Sequence, residues 1–152
     1  MFAEKSVFTR KFYDALSMAR FTSALSLLLG AGDEIIPAMS MARGLCRSAR
    51  IASKLEECQA KIAVGGAFSD ALIESGLFSA AHVGMIKSGD RAGAMPKVMQ
   101  RLSEIYGQDS ARMLDRFFSL VEPALISALS IIIGIILLCI MLPLIGILSS
   151  IG

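Results

Sequence analysis

Tryptophan is absent, histidine occurs once, tyrosine twice, cysteine three times and proline four times. Each scarcity removes a class of function. His82 and three scattered cysteines supply no close-spaced ligand set of the kind zinc requires. No serine is accompanied by a base and an orienting partner, so nucleophilic catalysis has no constellation. The Gly89–Gly93 stretch lacks the preceding strand and the following Lys-Ser/Thr of a phosphate loop, and its acid would repel phosphate. A net charge of +2, with no basic run interleaved with aromatics, is too small to argue for nucleic acid. The expectation is therefore a chain that is not an enzyme, with no cofactor, no metal site and no nucleic-acid partner. Glu34, Asp70, Glu74, Asp90 and Glu104 would hold a divalent cation only if helices brought them together. Cys46, Cys58 and Cys139 form no C-x-x-C pair, and their odd number points to free thiols in a reducing compartment. The N-terminus shows no apolar signal-peptide region. Alternating β-branched runs are missing too, which leaves an all-α reading.

Another absence organises the chain. From Pro123 to Gly152 there is no Asp, Glu, Lys, Arg or His, so all 15 basic and 13 acidic side chains precede it. Within this region Ala124 to Leu148 reads ALISALSIIIGIILLCIMLPLIGIL. As a helix it spans roughly 37 Å, enough to cross a bilayer core of about 30 Å with some tilt. Sixteen of its 25 residues are Ile or Leu. Together they favour insertion by about 8 kcal/mol, which Gly134, Gly146, Pro143, Ser127 and Ser130 weaken without reversing. The competing reading is a core helix of a soluble protein, but a domain of this size rarely buries so long a helix on all sides. Arg112 and Arg116 lie just before the span. The positive-inside rule places the preceding domain in the cytoplasm and the short tail outside.

Upstream, residues 4–29 read as helix, with Phe8, Phe12, Leu16 and Ala19 three or four apart and Ala24, Leu25, Leu28 and Leu29 continuing an apolar face. Gly30 and Gly32 supply its stop. Asp33 is the expected N-cap of a second helix reaching about Leu45, with Met39 and Ala42 inward; a later start would put Pro37 at the first helical position. A third helix, about 48–63, carries Ile51, Leu55, Cys58 and Ile62 on one side, with Glu57 and Lys61 as an i,i+4 pair. Arg43, Arg47, Arg50 and Lys54 form a basic ladder at helical spacing, read as a solvated face or as a patch for acidic lipid headgroups or an acidic partner. After Gly65-Gly66 a short helix, about 67–75, turns Phe68, Ala71 and Leu72 inward. Leu77 and Phe78 anchor the next link, and Ser79 caps a helix over about 80–88. Gly89–Gly93 is expected as a turn, in which Asp90 hydrogen-bonds free backbone N–H groups or contacts a partner or cation. Pro96 opens a long helix with Val98, Leu102, Ile105 and Tyr106 in its stripe. Gly107 is expected to loosen it, and Met113, Leu114, Phe117 and Phe118 carry the pattern into the span, with a bend expected at Glu122-Pro123. Nine methionines suit core filling or adaptable packing surfaces. The resulting fold class is an all-α antiparallel bundle of about six helices, followed by one C-terminal transmembrane helix. The expected organisation is a helical lead-in over 1–19, a cytoplasmic bundle over 20–119, the span over 120–149 and a tail over 150–152.

These pieces occur in a familiar order: FTSALSLLLGAG (Phe21–Gly32), GGAFSDAL (Gly65–Leu72), GLF (Gly76–Phe78), GDRAG (Gly89–Gly93), then Glu122-Pro123 and an apolar span containing Pro143. The set resembles the inner-membrane platform family of type II secretion and type IV pilus machines, over about residues 20–146. Asp90 stands where the family usually has Glu, and Ala92 where it has Ser. The proline that usually follows the first glycine-rich turn comes later, as Pro37, and Ser79-Ala80 replace a common double proline. These departures mark a divergent member. Family members usually carry two such repeats and three spans, and this chain resembles the second repeat of a longer platform protein.

The resemblance implies a non-enzymatic scaffold in the bacterial inner membrane. Its implied partners are the hexameric assembly ATPase, other inner-membrane assembly components, a pilin or pseudopilin, membrane lipid and further copies of itself. Gly32, Gly65, Gly89, Asp90, Gly93, Glu122 and Pro123 are the expected structural or partner-contact positions. Ser127, Ser130, Gly134 and Pro143 are expected to serve helix packing in the span. The alternative is an unrelated tail-anchored helical adaptor or regulator. A membrane enzyme such as a prepilin peptidase needs paired aspartates at the membrane, and this span has no acid.

Overall fold

The computed structural model describes residues 2–152, with side chains from Ser6 onward; Met1 of the expected lead-in lies outside it. Six helices and no strand make up the described residues: α1 (Phe2–Gly30), α2 (Ile35–Arg43), α3 (Ala49–Ala63), α4 (Phe68–Glu74), α5 (Ala80–Ala92) and α6 (Met95–Ile151). Two compact units result, the first running to Ala111 and the second comprising Arg112–Gly152.

In the first unit each helix gives one stripe to a shared core. Met18, Phe21 and Leu25 come from α1, Met39 and Ala42 from α2, and Ile51, Leu55 and Cys58 from α3, spaced three or four apart as an inward helical face requires. Leu72 and Ile86 join from α4 and α5, and Met95, Met99 and Leu102 from α6. Val98, expected inward, is only half-buried; Met99 takes the central place one residue on. Four of the core side chains are methionines. Two buried side chains find backbone acceptors, one within its own helix and one on the next. The Thr22 hydroxyl donates to the Met18 carbonyl at 2.7 Å, and the Cys58 thiol to the Ala71 carbonyl at 3.1 Å.

The α2–α3 connection is held by α1. Ser17, fully buried, accepts from the backbone N–H groups of Arg47 (3.0 Å) and Ser48 (2.9 Å). The Ser48 hydroxyl and the Arg50 guanidinium both donate to Asp14. Ser48, at the N-cap position of α3, therefore makes no side-chain cap of its own helix.

Several local expectations are corrected. The N-cap of α2 is Glu34 rather than Asp33, and Pro37 falls at the third helical position, still among N–H groups with no partner inside the helix. That helix ends at Arg43, before Leu45, so the basic ladder is cut by a break before α3. Two of its rungs are paired: Arg43 with Glu56 at 3.2 Å, and Arg50 with Asp14. Lys61 pairs with Glu74 across to α4 at 2.9 Å rather than with Glu57, and that hydrogen bond raises its pKa. Gly107 interrupts nothing, since α6 is helical throughout.

The second unit is helical up to Ile151. None of its most apolar 18-residue window is buried by the protein, and the helix is long and apolar enough to cross a membrane. Pro123 and Pro143 lie inside it. Each leaves the carbonyl four residues earlier without its usual N–H, a loss that membrane helices tolerate.

Candidate functional site

The expected turn at Gly89–Gly93 is mostly helix. Residues 89–92 form the last turn of α5, and only Gly93 leaves it, at φ +64°. The Gly93 N–H donates to the Asp90 carbonyl at 3.2 Å and the Ala94 N–H to the Gly89 carbonyl at 2.8 Å. These are the paired reversed hydrogen bonds of a glycine-terminated helix, which need a left-handed residue. Gly32 and Gly65 also have positive φ and end α1 and α3 with the same pair of bonds. Gly89 serves a different purpose. A Cβ placed there would stand 2.2 Å from Val98 Cγ2, so α5 and the start of α6 meet through its missing side chain.

Asp90 is exposed at the end of α5, and its carboxylate does not close the turn. It accepts from the Ser69 hydroxyl of α4 at 2.8 Å. Ser69 is buried, so this contact satisfies a hydroxyl that would otherwise be stranded. A second cross-helix contact joins α5 to α6. His82 Nδ1 and the Tyr106 hydroxyl are 3.1 Å apart, with their rings in an edge contact and Phe78 beside Tyr106. Burial pushes the Tyr106 phenol up to about 12, and the nearby Asp109 carboxylate adds to this. Sequence reasoning placed Tyr106 in the apolar stripe of α6 but missed His82 as its partner, since nothing local to either residue signals the other.

The remaining singled-out residues lie in the second unit, and all are exposed except for the half-buried Gly134. Glu122 makes no ion pair among the described residues. Ser127 and Ser130 donate to the carbonyls of Pro123 (2.8 Å) and Ile126 (2.9 Å), so their hydroxyls are already satisfied on their own helix. They are small surface positions with no donor left over.

Among the described residues no three His, Cys, Asp or Glu come together as a metal-binding group, so the five acids named above do not converge. Burial pushes the Cys46 thiol up to about 11, against a smaller opposing effect of Arg43, and burial likewise raises Cys58. Both thiols are therefore poor nucleophiles. An open groove of about 440 Å³ lies in the first unit, lined by Ala19, Ser23, Ala24 and Leu27 of α1, with Leu45 and Ser103 across from them and Arg20 alongside. Its lining is mostly apolar.

Comparison with known proteins adds independent information. The family model described as type II secretion system protein F matches residues 21–143. Type II secretion system protein F of Pseudomonas aeruginosa is 25% identical over 134 residues, covering 88% of this chain and 33% of that protein. Type IV pilus assembly protein PilC of Thermus thermophilus is 24% identical over 137 residues, covering 90% and 34%. Type II secretion system protein F of Xanthomonas campestris is 27% identical over 120 residues, covering 78% and 30%. The chain thus spans about a third of the length of these relatives.

Proposed function

The chain belongs to the type II secretion system protein F family, and on that premise we propose that it is a non-enzymatic inner-membrane platform of a secretion or type IV pilus machine. Its head binds the hexameric assembly ATPase and other inner-membrane assembly components, and the platform couples the motor to polymerisation of a pilin or pseudopilin. The head faces the cytoplasm, because Arg112 and Arg116 precede the apolar stretch and no charge follows it up to Gly152. The far end of the span then lies outside.

One observation supports this reading above the others. α6 gives Met99 and Leu102 to the head's core and, further along the same helix, supplies an apolar stretch that the protein leaves wholly unburied. Lipid is the medium that makes such a stretch favourable. A movement imposed on the head can then be passed along a hydrogen-bonded helix toward the membrane. Deleting the gene should abolish surface filaments or filament-dependent secretion, and the tagged chain purified in detergent should retain the ATPase. Filaments at normal number in the deletion strain would sink the proposal.

A further inference from the structure

We propose that the open groove of the head docks a short amphipathic helix of a partner protein, one that presents apolar side chains to α1 and a carboxylate to Arg20. Only the folded head is required, whatever machine it serves.

Two exposed leucines mark the site. Leu27 of α1 is 73% exposed and Leu45, just past α2, is 51% exposed, and both line the same groove. A single exposed leucine is ordinary, but two around one concave apolar surface mark a place of contact. The α1 side of the groove runs from Ala19 to Leu27, about 12 Å or two helical turns. Ala19, Ser23 and Ala24 are small, so a second helix can come close to α1 there. A run of two turns and a volume of about 440 Å³ suit the few apolar anchors of one short helix, spaced i, i+4 and i+7, rather than a folded domain.

Charge selects the occupant. Arg20 lies alongside the groove, and the Arg47 N–H donates to Ser17, one turn from Arg20 on α1, so two arginines stand at the same end. Both are exposed, and neither forms an ion pair among the described residues. Two acids of the elements around the groove are already engaged, Asp14 by Ser48 and Arg50, and Glu104 by Arg101. Within the basic ladder, Arg43 and Arg50 are paired inside the head, which leaves Arg47 unpaired near Arg20. An acid on the docked helix supplies the missing counter-charge, and apolar side chains around the pair strengthen it by excluding water. A second copy meeting through the same groove would set Arg20 against Arg20. A lipid acyl chain needs enclosure, which an open groove does not give.

The test is photocrosslinking of the full chain in intact cells, with p-benzoylphenylalanine placed at Leu27. The matched control is Val64, an aliphatic residue 87% exposed and outside the groove. Protein adduct at position 27 should exceed that at 64 by about tenfold, and mass spectrometry should map it to an amphipathic segment carrying an Asp or Glu near the point of attachment. R20E should lower the adduct by on the order of tenfold, while R20K keeps most of it. Replacing the mapped acid of the partner with Lys should restore the adduct in the R20E chain, and that restoration separates lost charge pairing from misfolding. Equal adducts at 27 and 64, indifference to R20E, no restoration by the reversed charge, or an adduct to lipid or to a second copy of this chain would each overturn the proposal.

Discussion

At Gly89 the two backbones approach so closely that one added methyl group has nowhere to go. The obstacle is Val98, a β-branched side chain with little rotamer freedom. G89A should therefore cost about 1–3 kcal/mol of stability, read as a lower denaturation midpoint in detergent. V98A should relieve that loss in the double variant, and additive effects would contradict the steric account. Asp90 makes a second test at this scale. D90A strands the buried Ser69 hydroxyl and should cost about 1–3 kcal/mol, while D90N, which can still accept, should cost less. Filament counts on D90A are informative only beside that measurement. In sequence Asp90 looked like a turn residue because glycines flank it. The flanking glycines have separate duties, Gly89 for helix contact and Gly93 for termination, and no local pattern distinguishes those two uses.

The helices themselves were largely legible. Their apolar spacing and glycine stops are local signals, and boundaries such as Gly32 and Gly65 follow from backbone chemistry that only glycine meets cheaply. What the sequence hid was the polar stitching between elements that are far apart in the chain. Ser17 and Asp14 of α1 hold the start of α3 some thirty residues later, and neither is marked as an acceptor in its own helix. S17A should leave two backbone N–H groups without their acceptor and cost about 1–3 kcal/mol, with faster amide exchange at Arg47 and Ser48. Normal protection of those amides in S17A would show that water replaces the hydroxyl. Lys61 gives the same lesson, since its chosen partner is Glu74 on the next helix and not Glu57 one turn away.

For the whole molecule, two half-buried titrating groups set an alkaline limit. Cys46 and Tyr106 both have pKa values raised in the folded state, to about 11 and about 12. In that window the native chain holds protons that the unfolded chain has lost, so stability falls as pH rises. Unfolding midpoints should decline from about pH 9 upward, and Y106F should flatten the upper part of the curve. A midpoint that stays level to pH 11 would show that both groups ionise without unfolding the head. The four thioethers in the core, Met18, Met39, Met95 and Met99, carry a consequence of another kind. Peroxide converts each one it reaches to a polar sulfoxide that does not fit an apolar interior, so oxidative stress would loosen the head from within. Methionine sulfoxide reductases undo that lesion, which makes the head's firmness depend on the cell's capacity for repair.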